Sequence, residues 1–290
     1  MAGDTSNYSP KVIIGKFGFK FAKSLGQNFL VDMNIPDKIV RLSGIDKSDC
    51  VLEVGPGFGA LTSCLSRAAG RVIAVELDGR LTPILGDIFS GRPNVEIIHG
   101  NILKTDIAGL IAEKAGGLRP CACANLPYSI TTPALSALID AGVFDSITVM
   151  VQREVAGRLA AKPGTPEYGA FSVYVAYHAE PRILFDVSPE CFVPKPKVFS
   201  SVVTMKMRAD RMLPREDEAY YFRIVRAAFG QRRKTLVNAL FAAFGATTAK
   251  ERIARVVEGC GLDPNVRGEA LGPEDFVNIC KQLSKNQKES

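Results

Sequence analysis

The sequence predicts a doubly wound α/β domain followed by a small α-helical domain, and three observations predict it. Short β-rich runs alternate with helix-like segments between Cys50 and Val151, a glycine-rich turn follows the first of these runs, and from about Met212 the apolar spacing becomes helical. With 47% hydrophobic and 23% charged residues over 290 positions, the chain has apolar material for one large domain or two smaller ones. That balance excludes disordered, collagen-like and low-complexity classes. The longest apolar runs, such as Ser146 to Val151, fall far short of the roughly 20 residues a bilayer requires.

The strands are read at Cys50–Val54, Val72–Glu76, Val95–Ile98, Cys121–Ala124 and Ile147–Val151. Strands alternating with helices predict βαβ units and a parallel sheet covered on both faces. Phe171–Tyr177 and Ser201–Met207 read as further strands that extend the sheet, with proline-rich Val187–Pro196 between them as an ordered loop. Helices are then expected at Glu216–Phe229, Lys234–Phe244, Thr248–Gly259 and Pro273–Leu283, with Gly230, Gly245 and Gly261 as breaks. The expected domains are residues 1–210 and 211–290.

The net charge of +6 is unevenly placed. Up to Pro194 there are 18 Lys and Arg against 19 Asp and Glu; from Lys195 onward there are 18 against 11. A second basic group, Lys11, Lys16, Lys20 and Lys23, has no acid between Asp4 and Asp32. Such surfaces suit a polyanion, nucleic acid above all. Met1–Pro10 lacks the pattern of a secretory signal, so a cytoplasmic protein is expected. Seven scattered cysteines in a chain of this size predict reduced thiols, and with His99 and His178 the only histidines a metal site is not expected. No heptad or apolar seam stands out, so a monomer is expected.

Gly55-Pro-Gly57-Phe-Gly59 follows the first strand and precedes a helix read at Leu61–Ala68. Glycines here allow a tight turn and close backbone approach to a ligand at the sheet's C-terminal edge. The spacing is G-x-G-x-G, not the G-x-G-x-x-G of dinucleotide binding. Glu76 ends the second strand 21 residues after Gly55, where an acid can accept from both hydroxyls of a ribose. The pair points to a ribose-containing cofactor, compatible with NAD or S-adenosylmethionine. Asn101, just after the third strand, is placed to hydrogen-bond the cofactor's adenine.

Asn125-Leu126-Pro127-Tyr128, after the fourth strand, decides between chemistries. An exocyclic amino group is a poor nucleophile because its lone pair is delocalised into the ring. The Asn125 side-chain oxygen and the Leu126 carbonyl can accept its two N–H bonds, localise the lone pair and stabilise charge developing on nitrogen. Tyr128 can stack on the base, and Pro127 fixes the loop without an N–H to compete.

On these residues the sequence resembles the ribosomal RNA adenine-N6 dimethyltransferases, in particular the bacterial small-subunit enzymes. The matching segments are Lys23-Ser-Leu-Gly-Gln-Asn-Phe-Leu30, Leu52-Glu-Val-Gly-Pro-Gly-Phe-Gly-Ala-Leu-Thr62, Asn125-Leu-Pro-Tyr128, Gln152-Arg-Glu-Val-Ala156, Phe192-Val-Pro-Lys-Pro-Lys-Val198 with Ser200, and Phe229-Gly-Gln-Arg-Arg-Lys-Thr-Leu236. The resemblance implies a Rossmann-like class I methyltransferase sheet in residues 1–210 that binds S-adenosylmethionine, and a helical RNA- and ribosome-binding domain in 211–290. It implies that Asn28 and Leu30 touch the methionine end of the cofactor, Gly55 lies against it, Glu76 holds the ribose, Asn101 faces the adenine, and Asn125 touches cofactor and target base. It further implies that Phe192 stacks on the flipped target adenine opposite Tyr128. The substrate implied is two adjacent adenosines near the 3′ end of small-subunit ribosomal RNA, each dimethylated at N6. One departure is Asn101, where the family usually has Asp; the amide oxygen still accepts, but the charge is lost.

Arg223, Arg226, Arg232, Arg233 and Lys234 interleave with Phe222, Val225, Phe229 and Leu236. If a helix ran unbroken through Gly230, Arg223, Arg226, Arg233 and Lys234 would lie within about 100° of arc and form a phosphate-facing stripe. Two other readings stand beside the main one: a large-subunit relative conferring antibiotic resistance, and a ribosome-assembly binding factor. The Gln231–Thr235 and Phe192–Pro196 segments favour the small-subunit enzyme over the first, and intact glycine and Asn125–Tyr128 motifs favour catalysis over the second. A nicotinamide-dependent dehydrogenase fails for want of the third-glycine spacing.

Overall fold

Each β-rich run in the first half of the chain is a strand, and a helix returns each to the same edge of the sheet, which is why these strands lie parallel. The computed structural model describes residues 27–285. In chain order come β1 (Phe29–Leu30), α1 (Asn34–Ser43), β2 (Asp49–Val54), α2 (Ala60–Ala68), β3 (Arg71–Glu76), α3 (Leu81–Ile88), β4 (Val95–His99), α4 (Ile107–Lys114), β5 (Arg119–Asn125), α5 (Thr131–Asp140) and β6 (Ser146–Gln152). The chain continues through α6 (Arg153–Leu159), α7 (Ala170–His178), β7 (Ala179–Val187), β8 (Phe192–Val193) and β9 (Ser200–Met207). It ends in α8 (Arg215–Gly230), α9 (Leu236–Phe244), α10 (Lys250–Gly259) and α11 (Pro273–Lys285).

The seven-stranded sheet has the order β4-β3-β2-β5-β6-β9-β7. Winding proceeds outward from β2 through β3 to β4, then restarts on its other side with β5 and β6. The switch point between β2 and β5 therefore opens a crevice at the carboxyl ends of these strands, where doubly wound sheets hold ligands. β9 joins β6 antiparallel with Gln152 opposite Ser200, so the extended sheet is mixed rather than wholly parallel. Beside it, β1 and β8 form a two-stranded antiparallel ladder with Leu30 opposite Phe192. The central strand β2 is buried along its whole length, with Cys50, Val51 and Leu52 fully inaccessible. Such side chains contribute roughly 1.5–3 kcal/mol each by leaving water.

Two compact units divide the chain: the first runs to Ala156 and takes in Arg182–Met207, and the second comprises Gly157–Pro181 and the residues from Arg208. The second unit thus includes a segment that the sequence reading assigned to residues 1–210. Phe171–Tyr177, expected as a strand, lies in helix α7. Its β-branched and aromatic composition suggested a strand, but a helix places Val173 and Tyr177 one turn apart in a core with Leu213, Tyr221 and Phe276. The Ser172 hydroxyl, accepting from the Gly169 N–H (3.1 Å) and donating to the Arg158 carbonyl (2.6 Å), secures the helix start. In the same core the buried hydroxyls of Tyr168 and Tyr221 donate to the Leu271 and Pro273 carbonyls, so neither is left unsatisfied. The expected loop Val187–Pro196 is ordered, holding a 3-10 turn at Pro189–Cys191 and strand β8.

Gly230 is a break, as expected, and the unbroken helix on which the single-face stripe was conditional does not form. α8 ends there, Lys234 N–H closes a turn on the Gln231 carbonyl at 2.9 Å, and α9 starts afresh behind Thr235, whose hydroxyl caps Asn238 N–H. The single-face stripe is therefore corrected: Arg233 and Lys234 sit in a connection and do not continue the face of Arg223 and Arg226. The basic group Lys11 to Lys23 lies outside the described residues. Among the described residues all seven cysteines are unpaired thiols, and no helix is long and apolar enough to cross a membrane.

Candidate active site

The carboxyl ends of β2, β3, β4 and β5 line one cleft of about 200 Å3, many times the space of a single water. Asn28, Leu30, Gly55, Glu76, Asn101, Asn125, Leu126, Pro127 and Tyr128 all line it. Residues spread over about a hundred positions of sequence are thus gathered by the winding of the sheet.

The glycine turn is a left-handed one. Gly55, Gly57 and Gly59 have φ of 66°, 60° and 82°, a region in which a side chain costs about 1–2 kcal/mol. At Gly57 a Cβ would also stand 3.1 Å from the Phe29 ring. Phe29 in turn stacks on Phe58 at 4.0 Å between centroids, so the turn is clamped between β1 and the sheet. Its direction presents the Gly57 N–H to Glu76 Oε2 at 3.2 Å, while Asp78 N–H donates to Glu76 Oε1 at 2.8 Å. Burial pushes the Glu76 carboxyl above its usual range, and these backbone donors oppose the shift. Asp78, buried beside it, accepts from Arg80 and from Gln27 Nε2 (3.3 Å); Arg80 holds its carboxyl below the usual range. Two buried acceptors of the lining, Gln27 Oε1 and Glu53 Oε2, have no hydrogen-bond partner among the described residues. Burial pushes the Glu53 carboxyl up to about 8, with nearby Glu76 adding to the shift.

Opposite the turn, Asn125 Nδ2 donates to the Asn28 carbonyl at 3.3 Å. With its nitrogen so engaged, the amide leaves Oδ1 as the acceptor. Leu126 N–H donates to the Met150 carbonyl at 3.1 Å and fixes the Asn125–Leu126 peptide plane. The Tyr128 hydroxyl is tied to Ser200 Oγ at 2.6 Å, which locks its ring to β9. Asn101 lines the cleft with its Oδ1 already accepting from Leu103 N–H at 3.0 Å, so one lone pair remains for a ligand.

Phe192 does not join them. Its ring is 2% exposed and packs with Leu30, Val40 and Val202 in the core beneath the sheet's edge. In this structure Phe192 supports the two-stranded ladder opposite Leu30, and stacking on a base would require its ring to be uncovered. Phe29, Phe58 and Gln27, not singled out beforehand, line the cleft. Their signal was their place inside the Lys23–Leu30 and Leu52–Thr62 segments. In the second unit Arg226, Arg233 and Lys234 are exposed. Arg223 lies over the Phe244 ring at 4.6 Å, and Arg232 donates to the Pro166 and Tyr168 carbonyls. Among the described residues no group of three or more His, Cys, Asp or Glu could hold a metal ion.

The family model described as ribosomal RNA adenine dimethylase matches residues 18–285. The chain belongs to this family. As a ribosomal RNA adenine dimethylase it is 45% identical over 273 residues to the ribosomal RNA small subunit methyltransferase A of Shouchella clausii, covering 93% of this chain and 92% of that one. It is 43% identical to the protein of the same name from Alkaliphilus oremlandii, over 95% and 96% of the two chains. A dimethyladenosine transferase from Plasmodium falciparum superposes with a TM-score of 0.77 at 26% identity, covering 89% of this chain and 98% of that structure. The 23S rRNA methyltransferase ErmE, at TM-score 0.68 and 23% identity, shares the fold. The dimethylase is an S-adenosylmethionine-dependent methyltransferase, and its cleft fits that cofactor: two buried acceptors lack donors, and at Gly55 a Cβ would stand in the cleft with only Pro127 near it, at 3.9 Å. S-adenosylmethionine supplies a methyl group already activated on a sulfonium.

Proposed function

We propose that this enzyme dimethylates N6 of two adjacent adenosines near the 3′ end of small-subunit ribosomal RNA, in the cytoplasm and as a monomer. The identity to small subunit methyltransferases over nearly the whole chain supports this substrate against the large-subunit alternative, whose structural likeness lies below 25% identity. The observation that carries the chemistry is Asn125: its nitrogen is held by the Asn28 carbonyl, so its oxygen is the atom offered, in the same cleft as Glu76 and the glycine turn.

Each residue then has a task. Glu76, steadied by two backbone donors, accepts from the ribose hydroxyls. Asn101 accepts from the adenine amino group with its free lone pair. Asn28, Leu30 and Gly55 bound the methionine end. Asn125 Oδ1 and the Leu126 carbonyl accept the two N–H bonds of the target amino group and turn its lone pair toward the methyl, stabilising the charge that develops on nitrogen. Tyr128 supports the base from one side. An amide is no base at neutral pH, so the proton leaves to solvent after transfer. No Lewis acid is required by this chemistry, because the leaving group is already a sulfonium. The second unit holds RNA through phosphate contacts from Arg226, Arg233 and Lys234.

The test is transfer of labelled methyl to purified unmethylated small subunits, with large subunits in parallel. Dimethyladenosine in small subunits alone is the expected result, and Asn125→Ala should slow transfer by about 10²–10³-fold, the loss typical for one transition-state hydrogen bond. Label in large subunits alone would overturn the substrate, and an Asn125→Ala variant of full activity would overturn the mechanism.

A further inference from the structure

Phe199 is the most exposed aromatic ring among the described residues, at 46%, and no part of the cleft just described uses it. It stands one residue before Ser200, whose hydroxyl anchors the Tyr128 ring, and its carbonyl accepts from Arg153 N–H at 2.9 Å. The backbone that carries the ring is therefore tied to Arg153 and lies next in sequence to the residue that anchors Tyr128. Around it the segment from Val193 to Phe199 exposes Val193, Lys195, Lys197 and Val198. Arg153 is 65% exposed and meets Asp186 only at 3.7 Å, a pairing too weak to withhold it from a phosphate. Lys197 makes no ion pair among the described residues, whereas Lys195 pairs with Glu190. An unburied ring flanked by exposed cations is the combination that holds single-stranded nucleic acid, by stacking on a base and neutralising its phosphates.

We propose that Phe199 stacks on the nucleobase next to the target adenosine, with Arg153 and Lys197 on the adjoining phosphates. This rests on the reading of the cleft as an RNA adenosine site and adds a second nucleotide subsite to it. An enzyme that modifies neighbouring adenosines must bring each in turn to Asn125, and a stacking platform beside Tyr128 holds the one not reacting. Phe199 is thus a substrate-binding residue with no part in methyl transfer itself.

The experiment compares wild type with Phe199→Ala, Phe199→Leu and Phe199→Tyr in methyl transfer to unmethylated small subunits, with cofactor affinity measured separately by calorimetry. Stacking predicts that Ala and Leu both raise KM for subunits by about tenfold, within the range found when one base–aromatic stack is removed. In both, kcat and cofactor Kd stay at wild-type values, and Tyr restores the wild-type KM. Lys197→Gln should lower the salt dependence of subunit binding by about one phosphate contact, near 0.7 in the logarithmic slope for single strands. A Leu variant with wild-type KM would overturn stacking in favour of mere apolar filling. An Ala variant with wild-type KM would remove the subsite. Wild-type protein that transfers nothing to small subunits would instead overturn the functional reading, and the subsite with it.

Discussion

The cleft at the carboxyl end of the sheet and the basic connection between α8 and α9 meet their ligands in opposite ways. In the cleft the residues expected to act are held by short-range hydrogen bonds: Glu76 by the Gly57 and Asp78 N–H groups, Asn125 by the Asn28 carbonyl, Tyr128 by the Ser200 hydroxyl. Arg226 on α8, and Arg233 and Lys234 in the connection that follows, are exposed, and no ion pair holds them among the described residues. A small cofactor and a weak nucleophile need fixed geometry, since a misplaced acceptor loses the stabilisation of charge on the reacting nitrogen. A polyanion needs positive potential and reach, and tolerates mobile side chains. Substitutions should separate the two regions accordingly, with shape mattering in the first and only charge in the second.

The largest expected effect is at Phe192. As a buried support opposite Leu30, Phe192→Ala should lower stability by about 3–5 kcal/mol, read by denaturant unfolding. Unchanged stability with a raised KM for RNA would return the ring to base stacking. Next comes Gly57→Ala, which combines a left-handed φ with a 3.1 Å approach to the Phe29 ring. It should lose about 1–2 kcal/mol of stability and weaken S-adenosylmethionine binding in calorimetry, because the Gly57 N–H that steadies Glu76 would shift. Full cofactor affinity would mean that the turn does not set the acid's position.

Smaller effects are expected on α8 and in the connection after it. Replacing Arg226, Arg233 or Lys234 by Gln should each reduce the logarithmic salt slope of RNA binding by about 0.7–0.9, with cofactor affinity and melting temperature unchanged. Arg226→Lys and Arg233→Lys should bind as wild type. Arg232→Gln differs in kind, since it releases the Pro166 and Tyr168 carbonyls and should show as a fall in stability. If Arg226→Gln destabilises the protein as much as Arg232→Gln does, the contrast between the two regions is lost.

The last effect is at Glu53, and it is read as a dependence on pH rather than as a change in ligand binding. Its folded pKa of about 8 lies above the ordinary carboxylate value because burial disfavours the charged form. The folded state therefore binds a proton that the unfolded state has released. Stability from this group is complete below about pH 4.5 and is lost as pH rises through about 8. Glu53→Gln, which resembles the protonated acid, should match wild type below about pH 4.5 and be the more stable protein at pH 7, because it removes that part of the decline, read as a flatter curve of unfolding free energy against pH. An unchanged curve would mean that Glu53 is charged in the fold.

The legible parts of the molecule were those written in local backbone chemistry. Gly55 to Gly59, Glu76 at a strand end and Asn125 to Tyr128 each follow a strand, and the alternation of strands with helices already requires their carboxyl ends to share an edge. Phe171–Tyr177 was misread because its composition suits a strand while its burial partners, Leu213 and Tyr221, lie far along the chain. The break at Gly230 was legible from the glycine itself, and a turn closed by Lys234 there rules out the single-face stripe, which required an unbroken helix. The enclosure of Phe192 was not legible for a reason similar to that at Phe171–Tyr177: a motif position fixes the backbone, but whether a ring is open or enclosed depends on Leu30, Val40 and Val202. The pairing of Gln27 with Asp78 joins residues 51 positions apart, and no local pattern announces it.

The most direct test of the central claim is to map methylated nucleosides in RNA from small subunits treated with wild-type protein and, side by side, with Asn125→Ala. The account predicts N6,N6-dimethyladenosine at two adjacent positions near the 3′ end with wild type, and almost none with the variant in the same time despite retained cofactor binding. Methylation at any other atom, or equal yields from both proteins, would contradict it.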